Sequence, residues 1–191
     1  MPVSYVNRRG QTYYLRRRAT KTGKASYFFS MKSEGELVEA IPEGFEVYQN
    51  PNARVFLRKI QPKIITDEEV EVVKRGLRQF RHLRHYQVEV KGNTITVFGP
   101  DQDVEGLSSL LSLMPGAKEQ LGGKELLQFL TYSPMLRFVL VDEGKRAFIA
   151  ERYCFLGSID DWIEISEARK LEGPVRKYVR HLGRDSFFEL Y

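Results

Sequence analysis

The sequence predicts an α+β fold in two parts. A basic antiparallel β module spans residues 1–62, and a mixed α+β part with two further hairpins and four or five helices spans 63–191. Three observations predict this. Four pairs of short aromatic- and β-branched-rich runs are each joined by a turn signal. Helical periods with capping signals begin only after residue 62. Between the two kinds of segment, Gln61-Pro62 breaks the strand pattern, because proline cannot donate to a ladder.

In chain order, the first hairpin pairs 11–18 with 26–32 around Thr20-Lys21-Thr22-Gly23-Lys24. Alternation places Tyr13, Leu15, Tyr27, Phe29 and Met31 on one face, the expected core face. Tyr14, Arg16, Arg18, Phe28 and Lys32 fall on the other. The second hairpin pairs 44–48 with 54–60, and Pro51 suits the second position of a type I turn in its loop. Thr66-Asp67-Glu68-Glu69 then reads as a capping box opening a helix to about residue 83, with Ile65 placed to staple onto Val70. On this helix Val70, Val73, Leu77 and Phe80 form the packing side, and Lys74, Arg78 and Arg81 lie in the neighbouring arc.

A third hairpin, 87–91 with 94–99, turns at Gly92-Asn93. Helices are expected over 103–113 and 118–132, the second weakened by Gly122-Gly123. A fourth hairpin pairs 136–142 with 146–155. Ser158 with Asp161 three residues on predicts a helix to about 170, Pro174 and Gly183 bracket a short helix, and 186–191 reads as a terminal strand.

Charge is the most unequal property of the chain. The first 33 residues carry Arg8, Arg9, Arg16, Arg17, Arg18, Lys21, Lys24 and Lys32 and no acid, while the other 158 hold 22 cations and all 25 acids. The formal +5 is therefore local to the N-terminus. A one-signed surface interleaved with rings is the footprint of a polyanion site, since cations neutralise phosphates and exposed rings stack on bases. The expected function is non-enzymatic nucleic-acid binding by Arg16, Arg18, Lys21, Lys24, Lys32, Tyr14 and Phe28. Lys74, Arg78 and Arg81 are a candidate extension of that surface. The alternative is a regulatory module that docks an acidic protein partner through the same cations.

Other chemistry is poorly provided for. The chain has one cysteine, Cys154, and three histidines. The pair His82 and His85 has metal-ligand spacing but few further ligands, so no metal and no cofactor are expected. Glu89-Val90-Lys91 matches the tail of a metal-dependent nuclease motif without its upstream acid, which leaves a nuclease around Glu89 and Lys91 as the third reading, and Gly122-Gly123-Lys124 lacks the remainder of a phosphate loop. No apolar run approaches the roughly 18 residues of a membrane span, and no signal segment opens the chain, so the expected location is the cytoplasm.

Residues 93–105, Asn-Thr-Ile-Thr-Val-Phe-Gly-Pro-Asp-Gln-Asp-Val-Glu, resemble the last strand and entering helix of a KH-type RNA-binding domain. The Gly-x-x-Gly loop that clamps the nucleic-acid backbone in that family is missing. No binding residue carries over from the resemblance, and no family is claimed on it.

Overall fold

The computed structural model describes residues 1–104, 106, 130–155 and 160–191. They fall into two compact units, one of residues 1–61 with 102–130, the other of 62–101 with 131–191.

The first unit carries β1 (Ser4–Val6), β2 (Thr12–Ala19) and β3 (Ala25–Ser30) in a sheet of that order, and β4 (Phe45–Gln49) paired with β5 (Val55–Lys59). The register of β2 on β3 sets Leu15 opposite Phe29 and Arg17 opposite Tyr27, so the core face is the one alternation expects. Leu15, Phe29 and Val55 are its buried centre, with Tyr5, Tyr13, Tyr27, Val47 and Leu57 packed around them. Met31 departs from the expectation. β3 ends at Ser30, and Met31 is 57% exposed beyond it.

Both tight turns of this unit work alike. The Gly23 amide donates to the Thr20 carbonyl, the Ala53 amide to the Asn50 carbonyl, and the closing residues Gly23 and Ala53 have positive φ. Buried Asn7 ties the first turn of the chain to the second of these. Its amide nitrogen donates to the Gln11 side chain and the Ala53 carbonyl, and its oxygen accepts from the Arg9 and Gln11 amides. Every hydrogen-bonding site of that buried amide is used, as burial demands.

The second unit is an antiparallel sheet in the order β10-β9-β8-β7-β6, with β11 on the edge of β9. Its strands are β6 (Gln87–Lys91), β7 (Thr94–Pro100), β8 (Tyr132–Asp142), β9 (Ala147–Phe155), β10 (Asp160–Glu164) and β11 (Arg169–Lys170). Ile95, Val97, Phe138 and Phe148 on one face form a single core with Val73 and Leu77 of α1 (Asp67–Arg78) and Val175 of α2 (Glu172–Tyr178). The helices approach closely at Gly76, where a Cβ would lie 2.5 Å from Val175 Cγ1.

The capping box forms as its residues imply: Thr66 Oγ1 accepts from the Glu69 amide, and the Glu69 carboxylate accepts from the Thr66 amide. Glu69 also receives two bonds from Arg146 in the β8–β9 turn, Nε to Oε1 at 2.9 Å and Nη2 to Oε2 at 2.5 Å. Partial burial opposes the charge on Glu69, but the Arg146 guanidinium and the Thr66 amide outweigh it and hold the carboxyl below its ordinary value.

The fold class needs correction. The chain is mostly β, with 40% of it in strands across three sheets and two α-helices among the described residues rather than four or five. In place of the helix expected to 170 stand β10 and β11. Trp162 and Ile163 are good strand formers, and β9 offers an edge on which Trp162 pairs with Tyr153 and Ile163 with Arg152. A two-residue capping signal is weaker than such a ladder. The expected terminal strand is a 3-10 turn, Asp185–Phe187, whose Phe187 is fully buried while the Arg152 Nε donates to the Leu190 carbonyl at 2.7 Å. The helices expected over 103–113 and 118–132 fall almost wholly outside the described residues, and Tyr132 already begins β8.

Candidate nucleic-acid interface

The outer face of the β2–β3 hairpin is built by direct cross-strand pairs: Tyr14 with Ser30, Arg16 with Phe28, and Arg18 with Ser26. Phe28 therefore sits between two arginines. The Arg16 guanidinium carbon is 5.8 Å from its ring centroid and that of Arg18 is 5.2 Å away, both within cation–π range.

Arg16 is held from the other side as well. Leu37 bridges to it across the sheet edge, and Gly35, at φ +100°, lies so close that a Cβ there would be 2.2 Å from Arg16 Nη2. The Arg16 Nε is buried without a hydrogen-bond partner. Among the described residues, packing and not an acid fixes this guanidinium.

The hairpin tip presents Lys21 and Lys24, both exposed, on a turn closed by Thr20. The Thr20 amide donates to the Lys24 carbonyl and Thr20 Oγ1 accepts from the Lys24 amide. Lys32 lies past the end of β3, so it is an exposed neighbour of the face and not a strand residue on it, as alternation had placed it. Tyr14 is half-buried, flanked across the strands by Ser4 and Ser30.

The eight cations of the acid-free stretch divide clearly. Arg8 donates to the Asn50 carbonyl, Arg9 to the Leu130 carbonyl at 2.6 Å, and Arg17 pairs with Glu36 at 3.2 Å. Among the described residues, the other five (Arg16, Arg18, Lys21, Lys24 and Lys32) have no carboxylate partner. Nothing in the sequence distinguished the three structural arginines, because their partners are backbone carbonyls or an acid far along the chain. Sequence reasoning also missed Gly35, whose only signal was its glycine between two glutamates.

Lys74, Arg78 and Arg81 belong to the second unit and are all exposed. Lys74 and Arg78 line a hollow of about 320 Å³ with Arg84, Tyr86 and Gln87, and Arg81 is not part of that lining. Arg78 is paired with Glu71 two turns back on α1, which removes much of its charge from the arc.

The remaining motifs take ordinary partners. His82 Nε2 is 3.1 Å from the Leu182 carbonyl, and His85 Nε2 accepts from Arg84 Nε at 2.7 Å. Glu89 stands opposite Thr96 in the β6–β7 ladder, and no cluster of three or more metal-ligating side chains occurs among the described residues. None of the described helices is long and apolar enough to cross a membrane.

No protein-family model, curated protein or solved structure matches this chain.

Proposed function

We propose that the protein is a non-enzymatic, cytoplasmic nucleic-acid-binding protein that holds phosphates on the outer face and tip of the β2–β3 hairpin. The observation that carries this reading is the division of the N-terminal cations: three are spent on structure, and five are without acid partners among the described residues, on one hairpin and its flank. Uncompensated cations repel one another, and a polyanion relieves that repulsion. Arg16 and Arg18 carry the fixed phosphate contacts, while Lys21, Lys24 and Lys32 reach the backbone as flexible point charges. Phe28 acts as the platform for both arginines, and half-buried Tyr14 is the ring that stacks on a base. The single, buried Cys154 suits a reducing compartment.

Fluorescence anisotropy of labelled single- and double-stranded DNA and RNA tests the proposal. If all five cations meet phosphates of a single strand, log K falls against log salt with a slope of about −3.5. The combined Arg16→Ala, Arg18→Ala and Lys24→Ala variant loses most of the affinity. Binding that survives this variant, or no binding at low salt, overturns the reading. A stoichiometric acidic protein co-purifying in its place assigns the same cations to protein docking.

A further inference from the structure

The second unit contains a cleft of about 630 Å³ between the segment from Ile165 to β11 and α2 with the turn that follows it. That size lies within the range of small-ligand sites. Its floor includes the buried Ile165, Pro174 and Tyr178, and its walls are charged.

The charges are mainly positive. Arg169 comes from β11, and Arg176, Lys177 and Arg180 come from α2 and the 3-10 turn after it. Glu167 is the one carboxylate among the lining residues, and it is already paired with Arg169 at 2.9 Å. Arg176, Lys177 and Arg180 have no carboxylate partner among the described residues.

The neutral polar groups of the cleft are committed elsewhere. The Tyr178 hydroxyl donates to the Ile165 carbonyl, Ser166 Oγ accepts from the Ala150 amide, and His181 Nδ1 is 2.9 Å from Ser186 Oγ. The charged groups left to meet a ligand are Arg176, Lys177 and Arg180. Lys177 Nζ sits 4.8 Å from the Tyr178 ring centroid, which positions it at the cleft wall.

Complementation of the helix dipole accounts for Arg176 and Lys177 in the last turn of α2, and the ion pair with Glu167 accounts for Arg169, which leaves Arg180 in the turn beyond. Arg176 and Arg180 line the same cleft without a carboxylate partner among the described residues, so an anion bound there would relieve the repulsion between them.

We infer that this cleft is a second anion site, taking a small phosphate-bearing ligand through Arg176, Lys177 and Arg180. It is separate in residues from the hairpin surface. The guanidiniums match phosphate oxygens in a planar fork, and the apolar floor accommodates the remainder of a nucleotide-sized molecule.

Titration of the full chain with inorganic pyrophosphate and with ATP, at constant ionic strength and followed by amide NMR, tests this. Saturable shifts at Gly173, Arg176, Lys177 and Arg180 are expected, at least tenfold weaker in the Arg176→Ala/Arg180→Ala variant. In that variant oligonucleotide binding stays as it was, whereas Lys21→Ala/Lys24→Ala weakens oligonucleotide binding and leaves the pyrophosphate response intact. Tighter binding of ATP identifies a nucleotide, and equal binding identifies the phosphate group alone. The inference falls if neither probe gives saturable shifts, if the double variant binds as tightly, or if the cleft responds only to oligonucleotide. Arg180→Glu, which reverses an exposed charge, provides the same readout should the double variant be unstable.

Discussion

Arg16 stands directly across from Phe28 on paired strands, and Arg18 closes on the same ring, so one phenyl group fixes two guanidiniums at 5.8 and 5.2 Å. Each such contact at an exposed site is worth about 0.5–1 kcal/mol. Phe28→Leu keeps an apolar strand residue and removes both. We expect a loss of about 1–2 kcal/mol in urea unfolding and weaker oligonucleotide binding, because each freed arginine must be ordered again on association at about 0.5–1.5 kcal/mol. Unchanged affinity in anisotropy measurements would show that the ring plays no part in presenting the cations.

Gly35 makes a sharper test of whether the position of Arg16 matters. Its φ of +100° strains any other residue, and an added Cβ meets Arg16 Nη2 at 2.2 Å. The colliding atom is the end of a flexible side chain, so the guanidinium moves and the backbone bears the strain. Gly35→Ala should cost about 1–2 kcal/mol of stability and reduce nucleic-acid affinity to the level of Arg16→Ala. A variant that is destabilised yet binds normally would mean that displaced Arg16 still reaches its phosphate.

Much of the hairpin architecture was legible because it is written in local pattern. β2, β3, β6 and β7 begin and end within two residues of where alternation and the turn glycines put them. The parts that were not legible depend on distant partners. β1 is three residues long and exists by pairing with Thr12–Tyr14, and β10 exists because β9 presents an edge. Asn7 looks like a surface residue in sequence, yet it is buried because four hydrogen bonds, one of them to Ala53, satisfy it. The candidate site divides along the same line. That Arg16 and Arg18 share a face followed from period two, whereas the diversion of Arg8, Arg9 and Arg17 to structural bonds depends on partners distant in sequence. The cleft at Arg176 has no signature at all, since Arg169 reaches it from another element.

Glu69 predicts a pH dependence of stability. Its carboxyl is held below its ordinary value in the folded chain, where Arg146 and the Thr66 amide bind the ionised form, and returns to about 4.5 on unfolding. The resulting stabilisation is complete above pH 4.5 and is lost as pH falls through the lower folded value. Glu69→Gln should destabilise by about 1–2 kcal/mol near neutrality, the scale of a charge-assisted hydrogen bond. Its stability should also decline less steeply than the parent between pH 5 and 3, as read by urea midpoints at each pH. Parallel curves for the two proteins would place the acid sensitivity elsewhere.

Gly76 tests how α1 meets α2. It lies in a helix interior with ordinary φ, where alanine is intrinsically favoured by about 1 kcal/mol. The added methyl, however, would sit 2.5 Å from Val175 Cγ1. Both residues are buried and Val175 is branched, so the contact cannot be relieved by swinging a long side chain aside. Overpacking of this kind costs about 1–3 kcal/mol against the propensity gain of about 1 kcal/mol, so Gly76→Ala should be destabilising by up to about 2 kcal/mol. Val175→Ala alone leaves a cavity and should also destabilise. Combining the two lets the new methyl occupy part of the vacated space, so the double variant should be more stable than the sum of the single losses. Strict additivity in thermal and urea unfolding would show that the two helices do not touch at this point in solution.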